Sequence, residues 1–427
     1  MTSDSAGSSA SSRWIYSVLP INMAVGPVST FVALYIYQLH GSVLDVALAT
    51  TLFNAVTIPA SIFWGFITDR IHTRKALIVL SYVAVAASIF AFDIIKTIYG
   101  VELIYAGFGF LSVAFATPLN LLIMETQPKS KWASVFSRFS MISSIGVTIG
   151  LFLSVGWTGF FPLQVLVIPL GVLALASAVL SIQMIKGRTS VFERSMIAMI
   201  RESLFHRLLY LPMLFLKVPK IIDFLRIFRN AKFGMTREPA LIYTSVGAFY
   251  FASGIFNTSL VPSLAYANIS TSQVFLVLLA GMLIQDIAFN FLAKQIQHRG
   301  IRRTATQGLL LRGGSHLAFG IAIAFVGGLP YLGVALVFYP LGAGIAYAAY
   351  YAASNVMIFN TLGKGNQGSM LGVFSALVGM ATMLGSFVSG LISFYVGYSE
   401  TFIAAAVWIG LGAVLTTLIG EGVESKE

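Results

Sequence analysis

Gly65-Phe-Ile-Thr-Asp69-Arg70-Ile-His72-Thr73-Arg74-Lys75 joins two apolar runs, one spanning about residues 43–68 and the other about 76–95. Each run is long enough, at 1.5 Å rise per helical residue, to cross a hydrocarbon core of ~30 Å. The turn between them carries four charges and a histidine. A chain written this way crosses a membrane, turns in the polar layer and crosses back.

The same reading extends in both directions. Apolar runs recur near 14–38, 43–68, 76–95, 100–124, 139–157 and 161–185, then near 241–268, 273–296, 304–327, 330–359, 367–395 and 398–419. The composition agrees, with 57% hydrophobic and 10% charged residues and a mean hydropathy of +0.88. A water-soluble domain carries roughly 25% charged residues. The predicted fold class is all-α, integral to the membrane, with twelve transmembrane helices. Met1–Ser12 is polar and Ser-rich, without a basic leader region, and the run after it is too long for a signal-peptide core. There is no cysteine, which excludes disulfides and thiolate metal sites.

The net charge of +11 does not indicate a nucleic-acid partner, because the basic residues collect on one side of the predicted topology. Of the 26, only Lys96 falls in an outer loop and only Arg312 well inside a span. By the positive-inside rule both termini are cytoplasmic and the protein is multi-pass in the cytoplasmic membrane. The expected organisation is a polar tail (1–13), a six-helix bundle (14–185), a basic linker (186–240), a second six-helix bundle (241–420) and a short tail (421–427). The linker mixes short apolar clusters with Arg207, Pro212, Lys217 and Pro219. It reads as amphipathic helices lying against anionic lipid headgroups.

Spans four and five align without a gap on spans ten and eleven. Gly107 falls on Gly342, Asn120 on Asn355, Thr126 on Thr361, Lys129 on Lys364, Ser140 on Ser375 and Gly150 on Gly385. Both copies run in the same membrane direction, so the repeat is parallel, with its axis along the membrane normal. Two such bundles enclosing a midplane cavity form an alternating-access architecture.

The opening stretch resembles the loop between the second and third helices of the major facilitator superfamily, Gly-x-Leu-x-Asp-Arg-x-Gly-Arg-Lys. Gly65, Asp69, Arg70, Arg74 and Lys75 match; His72 and Thr73 depart from it. A degraded copy, Asn290 to Lys294 with Arg299, Arg302 and Arg303, stands at the equivalent place in the second half. The resemblance implies a transporter in which these residues latch the bundles on the cytoplasmic face. It also implies a cavity lined by spans one, four, seven and ten. Signatures of drug/proton antiport are poor here: Gly146-x-x-x-Gly150 is followed by Leu151 instead of proline, and span four lacks an arginine.

Polar side chains in apolar helices must face the bundle interior or each other. On the implied cavity helices these are Asn22, Thr117, Asn120, Tyr250, Asn257, Tyr347, Tyr351 and Asn355, and Tyr347, Tyr351 and Asn355 share one helix face. The set carries no charge, which points to a neutral or amphipathic solute. Asp286 and Arg312 lie at similar depth on adjacent antiparallel helices and are expected to pair, with His316 one turn away as a proton acceptor. Asp45 and Glu125 are further protonation candidates near the membrane surface. The leading reading is a monomeric symporter or facilitator taking a small-molecule substrate and protons as candidate coupling ion. Alternatives are efflux of amphipathic compounds, or a sensor or lipid scramblase on the same fold. No nucleophile–base set, metal cluster or phosphate loop suggests an enzyme, and no cofactor is expected.

Overall fold

The computed structural model describes residues 13–70, 73–127, 131–185, 237–361 and 367–420. Twelve helices among them are long and apolar enough to cross a membrane. The first six are α1 (Trp14–Gln38), α2 (Val43–Thr68), α3 (Arg74–Ile94), α4 (Ile98–Thr126), α5 (Ser134–Phe160) and α6 (Leu163–Met184). The second six are α7 (Glu238–Tyr266), α8 (Thr271–Phe289), α9 (Ile301–Phe325), α10 (Gly328–Ile358), α11 (Phe374–Tyr395) and α12 (Tyr398–Thr417). Both expected tails and almost all of the basic linker lie outside the described residues.

Lipid is as apolar as a leucine side chain, so close packing and polar bonds decide which helices touch. In the first bundle α1 lies on α5 and α6, α2 on α4, and α3 on α4 and α6. In the second α7 lies on α11 and α12, α8 on α10, and α9 on α10 and α12. The second arrangement repeats the first six helices later, as the parallel repeat requires. Gly150 and Gly385, repeat partners in sequence, do the same job. A Cβ on Gly150 would stand 2.2 Å from the Met23 carbonyl oxygen of α1, and one on Gly385 2.1 Å from that of Phe251 on α7. Serine bonds add to this packing. Ser177 Oγ donates to the Ser17 carbonyl at 2.7 Å, and Ser259 shares hydrogen bonds of 2.6 Å with Ser389 and Ser393.

Three spans are interrupted. Gly26 and Pro27 divide α1, and residues 113–115 divide α4 just before Pro118. Sequence suggests an unbroken α10, but a π-helical segment, Pro340–Ala346, divides it. Pro340 has no amide hydrogen to donate, and a wider turn absorbs the mismatch.

The bundles meet along two seams, α2 against α11 and α5 against α8. The repeat exchanges one seam for the other. We call the membrane side where α1 begins and α12 ends the terminal face. At the opposite, far face Tyr37 of α1 hydrogen-bonds Tyr398 of α12, and Ser272 Oγ of α8 donates to the Val155 carbonyl of α5 at 2.8 Å. Toward the terminal face, Asn120, Met124 and Tyr351 are exposed, and among the described residues nothing lies within 4 Å of a Cβ placed on Gly65. The space between the bundles therefore opens to the terminal face.

Candidate functional site

From 245 to 264 α7 is buried or half-buried at every position but one. Residues 252–256 and 258–264 are buried, yet Asn257 between them is exposed. A polar side chain open in the middle of a stretch otherwise enclosed by protein faces the hollow, not lipid. On α1, Ser29 is likewise exposed among buried residues 27–28 and 30–36. Asn120 of α4 is exposed, Thr117 half-buried.

From α10, Tyr347 and Tyr351 stack with ring centroids 5.6 Å apart, and Tyr351 is 40% exposed. Asn355 donates to the Tyr351 carbonyl at 2.8 Å, so the three residues share one helix face. Tyr350 turns the other way, into the second bundle, and bonds Ser245 at 3.0 Å. Asn22 is half-buried; its amide donates to the Val18 carbonyl at 2.8 Å, and its Cβ lies at the close approach of Gly146. It belongs to the α1–α5 contact.

Behind the tyrosines lies Arg312 of α9, 2% exposed. Its guanidinium donates to the Gly342 carbonyl in the π segment at 2.9 Å and to Ser253 Oγ at 3.1 Å. It also lies 4.9 Å from the Phe249 ring centroid and 5.5 Å from that of Tyr347, within cation–π range of both rings. His316 stacks on Phe256 at 4.0 Å.

The ion pair expected between Asp286 and Arg312 is not formed. Both lie at comparable depth, but α9 turns Arg312 toward α7 and α10, whereas α8 turns Asp286 across the seam to α5. There Ser144 Oγ donates to one carboxylate oxygen of Asp286, and Thr148 Oγ1 to the other at 2.9 Å. Tyr250 is half-buried beside Tyr347.

At the terminal face Arg74 forms an ion pair with Glu125 of α4, Nη2 to Oε1 at 3.0 Å, and also bonds the Thr68 carbonyl. These bonds stay within the first bundle, tying together the ends of α2, α3 and α4. Among the described residues nothing lies within 4 Å of a Cβ placed on Gly65. Lys75 is half-buried, and the side chains of Asp69 and Arg70 lie outside those described. Asp45 caps α2: one carboxylate oxygen accepts from Ser42 N at 2.6 Å and from Ser42 Oγ at 2.8 Å, the capping-box pattern.

Sequence reasoning misses four residues in these settings. Ser29 carries no signal, since a single serine in an apolar run is common. Ser144 and Thr148 do, as hydroxyls one helical turn apart at the depth of Asp286. Glu102 of α4 is 6% exposed, and its Oε1 has no hydrogen-bond partner among the described residues.

Duplicated six-helix bundles around one hollow define a membrane transporter. The sequence pattern of the Major Facilitator Superfamily matches residues 15–311, and the chain belongs to that superfamily. No curated protein matches it by sequence. Among solved structures, the peptide transporter POT in complex with sulfate superposes with a TM-score of 0.71 at 14% identity, covering 96% of this chain and 94% of that one. The nucleoside transporter NupG gives 0.67 at 13% identity, covering 95% and 97%. A bacterial homologue of the human lysosomal transporter Spinster, inward-facing and occupied, gives 0.69 at 12% identity, covering 98% and 97%. At these identities the likeness is one of fold.

Proposed function

We propose that the chain is a secondary transporter that carries a small neutral or amphipathic solute by alternating access, coupled to protons. The observation that carries this reading is Asn257, exposed within the otherwise enclosed stretch 245–264 of α7. Ser29, Asn120, Tyr351 and Asn355 offer further uncharged contacts from α1, α4 and α10. Hydrogen-bonding amides and a stacked tyrosine pair suit a solute with one polar edge and one flat or apolar face. The buried charge, Arg312, is already engaged by a carbonyl, a hydroxyl and two rings. One chain encloses the whole hollow, so a monomer suffices. The terminal face is the cytoplasmic one in this reading, because the basic residues gather there.

Reconstitution into liposomes tests it. Labelled nucleosides, short peptides, sugars and amphipathic amines are offered with and without a pH gradient. Saturable uptake of at least one class is expected. Asn257→Ala and Tyr351→Ala should each reduce kcat/KM about tenfold, the worth of one good hydrogen bond or stacked ring, with thermal unfolding unchanged. Uptake indifferent to both substitutions removes the hollow as the substrate site.

A further inference from the structure

We propose that Asp286, with Ser144 and Thr148, forms the proton-binding site at the seam between the bundles, and that proton occupancy there is linked to parting of α5 from α8. The inference rests on the alternating-access reading above.

The argument starts from what hydroxyls do elsewhere on α5. Ser154 donates to the Gly150 carbonyl at 2.8 Å and Thr158 to the Ser154 carbonyl at 2.7 Å. That is the usual habit of serine and threonine in apolar helices. Ser144 and Thr148 instead donate across the seam, one to each oxygen of the same carboxylate. An ionised carboxylate only accepts; protonation turns one oxygen into a donor and leaves the other a weaker, neutral acceptor. Hydrogen bonds to the ionised group are about twice as strong as neutral ones. A proton arriving at Asp286 therefore removes the charged component of a contact that holds the two bundles together. By linkage, any rearrangement that separates α5 from α8 at this level favours proton binding, and proton binding favours that rearrangement.

The described charged groups on the elements packed against Asp286 turn to other partners. On α5 the nearest described charge is Arg138, about two turns away and bonded to Tyr16. From α10, Tyr339 packs on Gly281 of α8, and Tyr351 lies against Phe289 of α8 with centroids 6.1 Å apart. From α9, Arg312 and His316 turn to α7 and α10. Lys294, His298 and Arg299, further along the helix that carries Asp286, have side chains outside those described.

The absence of cysteine makes the test direct. Spin labels go on cysteines at exposed positions, Phe160 with Ser270 at the far face and Ser137 with Phe291 nearer the terminal face. Distances are recorded from about pH 2 to about pH 8, a window that brackets ordinary carboxylate titration, in sodium and in choline buffers. Infrared difference spectra follow the protonated-carboxyl band in parallel. In the parent protein the band and a change in at least one distance should share a midpoint. Asp286→Asn should lose the band and hold the acidic distances at every pH. Should that variant misfold, Ser144→Ala with Thr148→Val decides alone: the band stays and the distance response falls to half or less. A response that survives in Asp286→Asn, or follows sodium and not pH, overturns the proposal. So does a band that titrates while the distances stay still. Intact solute uptake without any seam movement would sink this inference alone; seam movement without uptake of any solute would sink the transport reading and spare this one.

Discussion

The two seams between the bundles occupy equivalent places in a duplicated frame, yet they are built of different chemistry. Along α5 and α8 a carboxylate takes two hydroxyls from the opposite bundle. Along α2 and α11 the contacts are small and apolar. A Cβ on Gly390 would stand 2.3 Å from the Ala47 Cβ, and one on Gly379 3.0 Å from Ile58. Asn54 Nδ2 donates to Ser386 Oγ across that seam in a long hydrogen bond of 3.4 Å. In the register that sets Gly65 on Asn290, the position of Asp286 is held by Ser61, whose hydroxyl donates to its own helix, to the Ile58 carbonyl at 2.7 Å. Gly379 stands where Ser144 would be. Duplication has kept the packing symmetric and concentrated the ionisable chemistry on one side. A carrier built so has one seam whose strength depends on charge state and another that only has to fit.

The largest expected effect checks the symmetric half of this comparison. Gly150→Val and Gly385→Val each push a side chain into the backbone of the neighbouring helix, at almost the same distance. Each should cost about 3 kcal/mol, the upper range for overpacking, read as equal losses in chemical or thermal unfolding. A large loss at one position and none at the other would mean that α5 and α11 are not seated alike. The next effect separates the seams at the far face. Gly390→Val meets Ala47 and should cost about 2 kcal/mol, or part α2 from α11, which a label pair on those helices would show. At Gly159 the nearest atom to an added Cβ is Ser272 Oγ at 3.8 Å. Gly159→Val should stay within about 0.5 kcal/mol.

The twelve spans are legible in sequence because the hydrocarbon core acts as a ruler: a run such as 161–185 is either long enough to cross or it is not. The repeat is legible too, since Gly150 and Gly385 are constrained by the same close approach and stay in register. The rotation of each helix about its axis is not legible. In water the apolar stripe shows which face turns inward; in lipid both faces are apolar and the stripe fades. Asp286 and Arg312 share a depth, and depth alone suggests a pair, but packing turns one to α5 and the other to α10. Tyr350 adjoins Tyr351 in sequence, yet α10 turns it away from the Tyr347–Tyr351 face, toward Ser245. The same blindness hides Ser144 and Thr148, which matter only because of what they face.

The smallest effects bear most directly on the asymmetry. Ser144→Ala and Thr148→Val remove donors to a carboxylate and should each cost about 1 kcal/mol, between the ~0.6 kcal/mol mean of membrane hydrogen bonds and their ~1.7 kcal/mol ceiling. The two losses should not add, because both act on one carboxylate. Ser61→Ala removes a hydroxyl bonded within its own helix, and Asn54→Ala a long neutral bond; each should change stability by about 0.5 kcal/mol or less. Unfolding of the four variants near neutral pH separates the pairs. Repeating it under acid sharpens the point, since protonation removes the charged acceptor. The gap between the α5 variants and the α2 variants should then narrow, while the α2 variants stay where they were. If Ser61→Ala and Asn54→Ala match the α5 pair in size and in pH response, the seams are chemically alike and the charge on Asp286 does not set them apart.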